Sequence, residues 1–239
     1  MDILASETTL RLDEHLPEEV TIEGLSQDAY DDPDSRDIFA KTKKFTISRL
    51  AKMAGYYPFY NALDSNEGPE AVLHGKRVLM LGSNNYLGLT RHPRVVKAAR
   101  DAVEKYGTSM TGSRLLNGTT VLHVRLEKLL AEFLGTEGCL TFTTGYQANL
   151  GAISSLVNRR ACAVIDKADH ASIYDGCALS DGEMRRFLHN DMEDLDRVLA
   201  QVTKTKPALV VVDGVFSMEG DIAPLPKIVE VCKLSLIHI

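Results

Sequence analysis

Tryptophan is absent from these 239 residues, aromatics make up 6%, and cysteine is limited to four. The four thiols, Cys139, Cys162, Cys177 and Cys232, are far apart and form no CxxC. Buried reduced thiols are therefore expected rather than a disulfide framework or a zinc site. No apolar run approaches the roughly 18 to 20 residues that cross a bilayer. The first ten residues have neither the basic start nor the apolar core of an export signal. The expectation is a cytoplasmic chain with no transmembrane segment. No GxGxxG follows a strand and there is no Walker A lysine motif, which argues against the common dinucleotide and P-loop sites. Asp166, Asp169 and His170 have no further carboxylate or histidine cluster beside them, so no metal is expected.

What is present is a core-forming composition, 44% hydrophobic and 25% charged, enough for one large domain or one and a half. The net charge of -6 is unevenly spread. Of 33 acids and 27 bases, 12 and 2 fall in the first 40 residues, leaving 21 acids against 25 bases in the rest. The body is mildly basic, which suits small phosphorylated ligands and is too slight for nucleic acid. Residues 1–36 are acidic, lack a periodic apolar face and break at Pro33, so a disordered extension is expected there.

Residues 37–55 carry apolar positions at helical spacing and stop at Gly55. Residues 71–73 and 77–81 predict a hairpin around His74-Gly75, so residues 37–75 read as a helix-and-hairpin arm. Pro93 opens a helix that Gly107 ends. A second helix, VLHVRLEKLLAEFLG, places Leu122, Leu126, Leu129, Leu130 and Phe133 on one face. Further on, short β runs at 161–165, 184–188 and 208–213 alternate with helices at 171–179, after the Asp191 cap, and at 224–233. This alternation predicts an α/β domain with a largely parallel sheet, whose ligands sit beyond the carboxyl ends of the strands.

The chain centres on GCLTFTTGYQANL, residues 138–150. Residues 139–143 predict a strand, and Thr144-Gly145-Tyr146 turns from it into a helix. Such a turn aims unpaired N–H groups and a helix dipole at one point, which suits a phosphate. Taken alone it reads first as an ordinary strand-to-helix turn. Two other loops, 166–170 and 214–221, reach the same edge of the sheet. There His170 would lie against a flat ring and Ser217 would bond a ring hydroxyl; a backbone-bonded loop histidine and a simple turn serine remain open readings.

The stretches GSNNYLGLTRHP, TGSRLLNGT, TTGYQANLG, DHASIYDGC, RRFLHNDMEDL and DGVFSMEGDIAPL, in this order, resemble the α-oxoamine synthases, pyridoxal-phosphate enzymes of the fold type I aminotransferase superfamily. Their versions here are most like those of bacterial serine palmitoyltransferases; 8-amino-7-oxononanoate synthases and glycine C-acetyltransferases are more distant. The resemblance implies a three-layer domain with a mostly parallel sheet over residues 76–233, incomplete here. It implies pyridoxal 5′-phosphate as cofactor, amino acid and acyl-CoA as substrates, and a homodimer when full length. By the same resemblance Gly145 and Tyr146 would hold the phosphate, and His170 would be catalytic, lying on the ring and orienting the substrate carboxylate. Ser217 would bond the ring 3′-oxygen, Asn84 would contact the amino acid, and Arg114 would meet an anionic part of substrate or CoA.

One departure accompanies these agreements. The family continues past residue 233 to an aspartate for the ring nitrogen and to the lysine that holds the cofactor as a Schiff base. Residues 234–239, LSLIHI, do not continue that pattern and read as a non-family tail. The expectation is a C-terminally truncated fragment, inactive alone. The alternative from another class is a non-catalytic scaffold subunit.

Overall fold

The structure, a computed structural model, describes residues 36–66 and 68–234. The acidic extension and the tail lie, apart from Arg36 and Leu234, outside the described residues. The chain divides into two compact units, one up to Ser109 and one from Met110.

In the first unit, the expected single helix is two short ones, α1 (Ala40–Lys44) and α2 (Ile47–Met53). Phe45 leaves helical space between them with ψ 83°, and the next residue is β-branched Thr46, a poor helix former. The predicted hairpin is present as β2 (Glu70–Leu73) and β3 (Lys76–Leu79), paired antiparallel. An unpredicted strand, β1 (Leu63–Asn66), pairs with β2 on its other side. Its LDSN sequence has little β propensity, so pairing rather than composition makes it a strand. Past a short 3₁₀ turn (Leu89–Arg91), α3 (Pro93–Tyr106) begins with proline at its first turn, as predicted.

The second unit begins with α4 (Val121–Leu134) and α5 (Gly145–Leu156). Then β4 (Cys162–Asp166), α6 (Ala171–Leu179), β5 (Glu183–Phe187), α7 (Met192–Val202), β6 (Ala208–Val211) and α8 (Leu225–Leu234) alternate. The strands form a parallel sheet in the order β5-β4-β6. Central β4 is buried on both faces, and its alternate side chains serve two cores. Ala163 and Ile165 pack with Ile153, Val157, Ile173 and Cys177 of the α5/α6 layer. Cys162 and Val164 pack with Leu195 and Leu199 of α7, Ile228 of α8 and Phe216 of the segment between β6 and α8. The three-layer α/β architecture is therefore the expected one. Fully burying a Leu or Phe side chain contributes about 1.5–3 kcal/mol, so Leu195, Leu199 and Phe216, all at 0% exposure, are principal anchors of the second face.

Residues 139–143 correct the sequence reading: they are irregular, not a strand. No described strand pairs with them, and the Thr141 N–H goes to the Glu127 carboxylate at 2.8 Å instead of to a ladder. The α5 and α6 helices pack tightly because Gly176 lacks a Cβ; one there would come 3.1 Å from both Asn149 O and Ile153 Cδ1.

Candidate cofactor site

Thr144 caps α5, its Oγ1 accepting the Gln147 N–H at 3.1 Å. As the first two helical residues, Gly145 and Tyr146 have N–H groups with no intrahelical acceptor. A Cβ at Gly145 would meet nothing within 4 Å, so no protein neighbour requires glycine there. The space beside the turn is open to a group approaching the backbone. The Tyr146 hydroxyl donates to Asp175 of α6, which pushes its pKa up and holds the start of α5 to α6.

His170 caps α6. Its Nδ1 accepts the Ser172 N–H at 3.2 Å and lies 2.7 Å from Ser172 Oγ. Asn149 of α5 donates to the same Ser172 Oγ at 2.9 Å. With Nδ1 accepting, the neutral ring carries its proton on Nε2, and the Asn149–Ser172–His170 chain sets the ring's plane. The His170 N–H donates to Asp213 Oδ2 at 2.8 Å, while the Asp213 N–H donates to Asp169 Oδ1 at 2.8 Å. The loops after β4 and β6 are thus laced together beside the imidazole.

Asp169 also accepts the Asp166 N–H at 2.8 Å. Burial pushes its carboxyl up to about 7, against the pull of these two backbone donors. Asp166, 1% exposed, accepts from the Ala168 and Asn190 N–H groups and from His189. Ser217 is exposed on the turn after the fully buried Phe216.

Arg114 is already paired within the protein. Its guanidinium spans both oxygens of Glu127 and also donates to Thr141 O at 3.1 Å. The pair holds Glu127 down to about 2, with the Arg114 bond the largest cause. An anion would have to displace Glu127 to use these donors. Asn84 belongs to the first unit, where it is exposed in a groove of about 540 Å³ with Asn66, Tyr86 and Thr90. No group of three or more His, Cys, Asp or Glu that would hold a metal occurs among the described residues.

The sequence reading assigned no role to Asn149, Ser172, Asp213, His189 or Asp221. The available signal was positional, polar residues just past apolar β runs and within the quoted stretches, but which of them touch depends on how the strands are ordered.

The fold is an α/β domain in which the loops after β4, β5 and β6 are hydrogen-bonded together at the carboxyl edge of a parallel sheet. The family model for Aminotransferase class I and II matches residues 76–238. The chain belongs to that family. It is 46% identical over 187 residues to a serine palmitoyltransferase of Sphingobacterium spiritivorum, covering 78% of this chain and 47% of the relative. An 8-amino-7-oxononanoate synthase of Thermoanaerobacter pseudethanolicus is 45% identical over 183 residues, covering 76% and 46%. Among solved structures, a serine palmitoyltransferase variant from S. paucimobilis with bound PLP-myriocin aldimine superposes with a TM-score of 0.80 at 42% identity, covering 84% of this chain and 51% of the other. The chain spans about half the length of the curated relatives it matches.

Proposed function

We propose that the protein is a pyridoxal-phosphate-dependent α-oxoamine synthase that condenses an amino acid, serine, with an acyl-CoA and releases carbon dioxide. The activity is proposed for the whole protein, and the residues described here contribute its cofactor-binding side. The observation that carries the reading is His170: its imidazole is fixed in plane by Ser172 and Asn149 within the same layer as the open turn at Gly145.

The donor set fits the cofactor. The Gly145 and Tyr146 N–H groups and the α5 dipole would hold its phosphate. His170 would lie against its ring, with its Nε2–H free to meet the substrate carboxylate, and Ser217 would donate to the ring oxygen. When bound, the cofactor's ring supplies the electron sink for charge at the amino acid α-carbon. The protein's part is to bind, orient and hold protons, which is what the hydrogen-bonded loops around His170 are built to do. The full-length protein is proposed to be a homodimer.

The 45% identity to an 8-amino-7-oxononanoate synthase supports a second reading, in which the amino acid and the acyl group differ. Parallel assays of the full-length protein decide between them: thiol release from palmitoyl-CoA with serine, against other acyl-CoAs with alanine or glycine. Serine-dependent release from palmitoyl-CoA is the expected result. Cofactor binding without turnover of any pair would point instead to a scaffold subunit.

A further inference from the structure

One imidazole ties together the loops that follow all three strands of the parallel sheet. His189 stands just past β5 with its Nδ1 2.9 Å from Asp166 Oδ1 and its Nε2 3.0 Å from Asp221 Oδ2. An ionised carboxylate only accepts hydrogen bonds. Both contacts are hydrogen bonds at once only in the imidazolium form, in which both ring nitrogens carry protons.

The two carboxylates are not equally held. Asp166 is buried and keeps two backbone donors, from Ala168 at 2.8 Å and Asn190 at 2.9 Å. Asp221 has the Asn190 Nδ2 at 2.9 Å and His189; its Oδ1 is buried without a partner. Among the described residues, these two aspartates are the charged groups that act on the ring. On neighbouring α7, Asp194 is taken by the Leu188 N–H and Arg197, and Asp191 by the helix's first turn. The Phe216 ring stands edge-on to the imidazole at 4.5 Å.

Asp221 and Phe216 belong to a small closed hairpin. Val215 bridges Ile222, the Phe216 N–H reaches Asp221 O at 3.0 Å, and the Ala223 N–H reaches Gly214 O at 3.2 Å. Ser217 begins the turn at its tip. Phe216 and Ala223 seat the hairpin's two strands in the core, and His189 adds a tie to its turn through the Asp221 carboxylate and the Phe216 ring, on either side of Ser217.

We propose that His189 is a positioning residue: as an imidazolium it clamps the turn that presents Ser217, and loss of its proton loosens that turn. A neutral ring has one N–H and turns a lone pair toward one carboxylate. Asp166 stays in place on its backbone donors. Asp221, with 46% of its side chain exposed, turns to solvent, and the turn loses its tie to His189. The aspartates resist this by holding the proton on, Asp166 most strongly, against the opposing effect of burial. The effect on cofactor binding rests on the reading of Ser217 above; the clamp does not.

Nitrogen NMR of the imidazoles and amide hydrogen exchange, followed on the full 239-residue chain from about pH 6 to about pH 10, test it. Two ring N–H protons on His189 at neutral pH are expected. Exchange of the 214–223 amides should accelerate, as that proton leaves, by about tenfold per pH unit beyond ordinary base catalysis. In Asp221→Asn a neutral amide can face a neutral ring, so that excess should vanish and His189 should titrate lower. The affinity for pyridoxal phosphate, measured by calorimetry, should fall with His189 deprotonation in the wild type and not in that variant. A neutral His189 at pH 7 beside a protected hairpin, or hairpin exchange indifferent to the His189 titration, overturns the proposal. A chain that binds no pyridoxal phosphate while its hairpin still follows His189 removes the cofactor reading and leaves the clamp standing.

Discussion

At Asp169, burial and hydrogen bonding act in opposite directions, and burial wins. Its folded pKa of about 7 lies above the ordinary carboxylate value, so the folded state holds the proton more tightly than the unfolded one. Stability from this group is fully present below the unfolded value, near 4, and is lost as pH rises toward 7. Replacing Asp169 with Asn removes the titration but leaves one amide oxygen for two backbone donors, at a cost of about 1–3 kcal/mol. Thermal melts should therefore show Asp169→Asn less stable than wild type, with a shallower decline in Tm between pH 4.5 and 7.5; a parallel decline contradicts the burial argument. The proposed site residues Gly145, Tyr146, His170 and Ser217 could be singled out at this scale because they stand in turns and helix caps and fit a resemblance. Ser172, Asn149 and Asp213 were not, because their importance lies in contacts across 23 to 43 residues of sequence.

Among the elements, those with local signals were read best. The α6 helix spans the predicted residues, and α7 begins where Asp191 accepts the N–H groups of Glu193 and Asp194 at 3.0 and 2.9 Å. Removing such a cap costs about 0.5–2 kcal/mol. Asp191→Ala should lower denaturant stability by that amount, with the loss concentrated in α7 amide exchange; an unchanged midpoint would show the cap to be redundant. Elements that depend on a partner were read worst. The 139–143 run has strand composition and no described strand beside it, whereas LDSN is a strand because β2 pairs with it. The apolar face of α4 was read correctly as a stripe, yet Leu122, Leu126, Leu129 and Phe133 are all exposed among the described residues. Periodicity marks which face is apolar, not what covers it.

For the whole molecule, the titrating groups set a stability optimum on the acid side of neutrality. Glu127 and Asp194 have lowered pKa values, Glu127 through Arg114 and Asp194 through the Leu188 N–H, so their contributions are present above about pH 4 and lost below it. Asp169 and His189 are both raised. The His189 contribution is complete below its unfolded value near 6.5 and lost as pH passes its folded one. Tm should peak at about pH 4 to 5 and fall toward pH 9, and a Tm that climbs from pH 5 to pH 8 would contradict this assignment. The parallel sheet and its layers followed from alternating β and helical patterns, while the strand order β5-β4-β6, which decides which loops meet, required the structure.

The central claim is that the α5 turn, His170 and Ser217 form one cofactor site, and calorimetric titration of pyridoxal phosphate into wild type, His170→Ala and Ser217→Ala tests it most directly. The account predicts saturable binding at one site per chain, weakened about tenfold by each substitution, the worth of one ring contact or one hydrogen bond. No binding by the wild type, or binding that neither substitution changes, would contradict it.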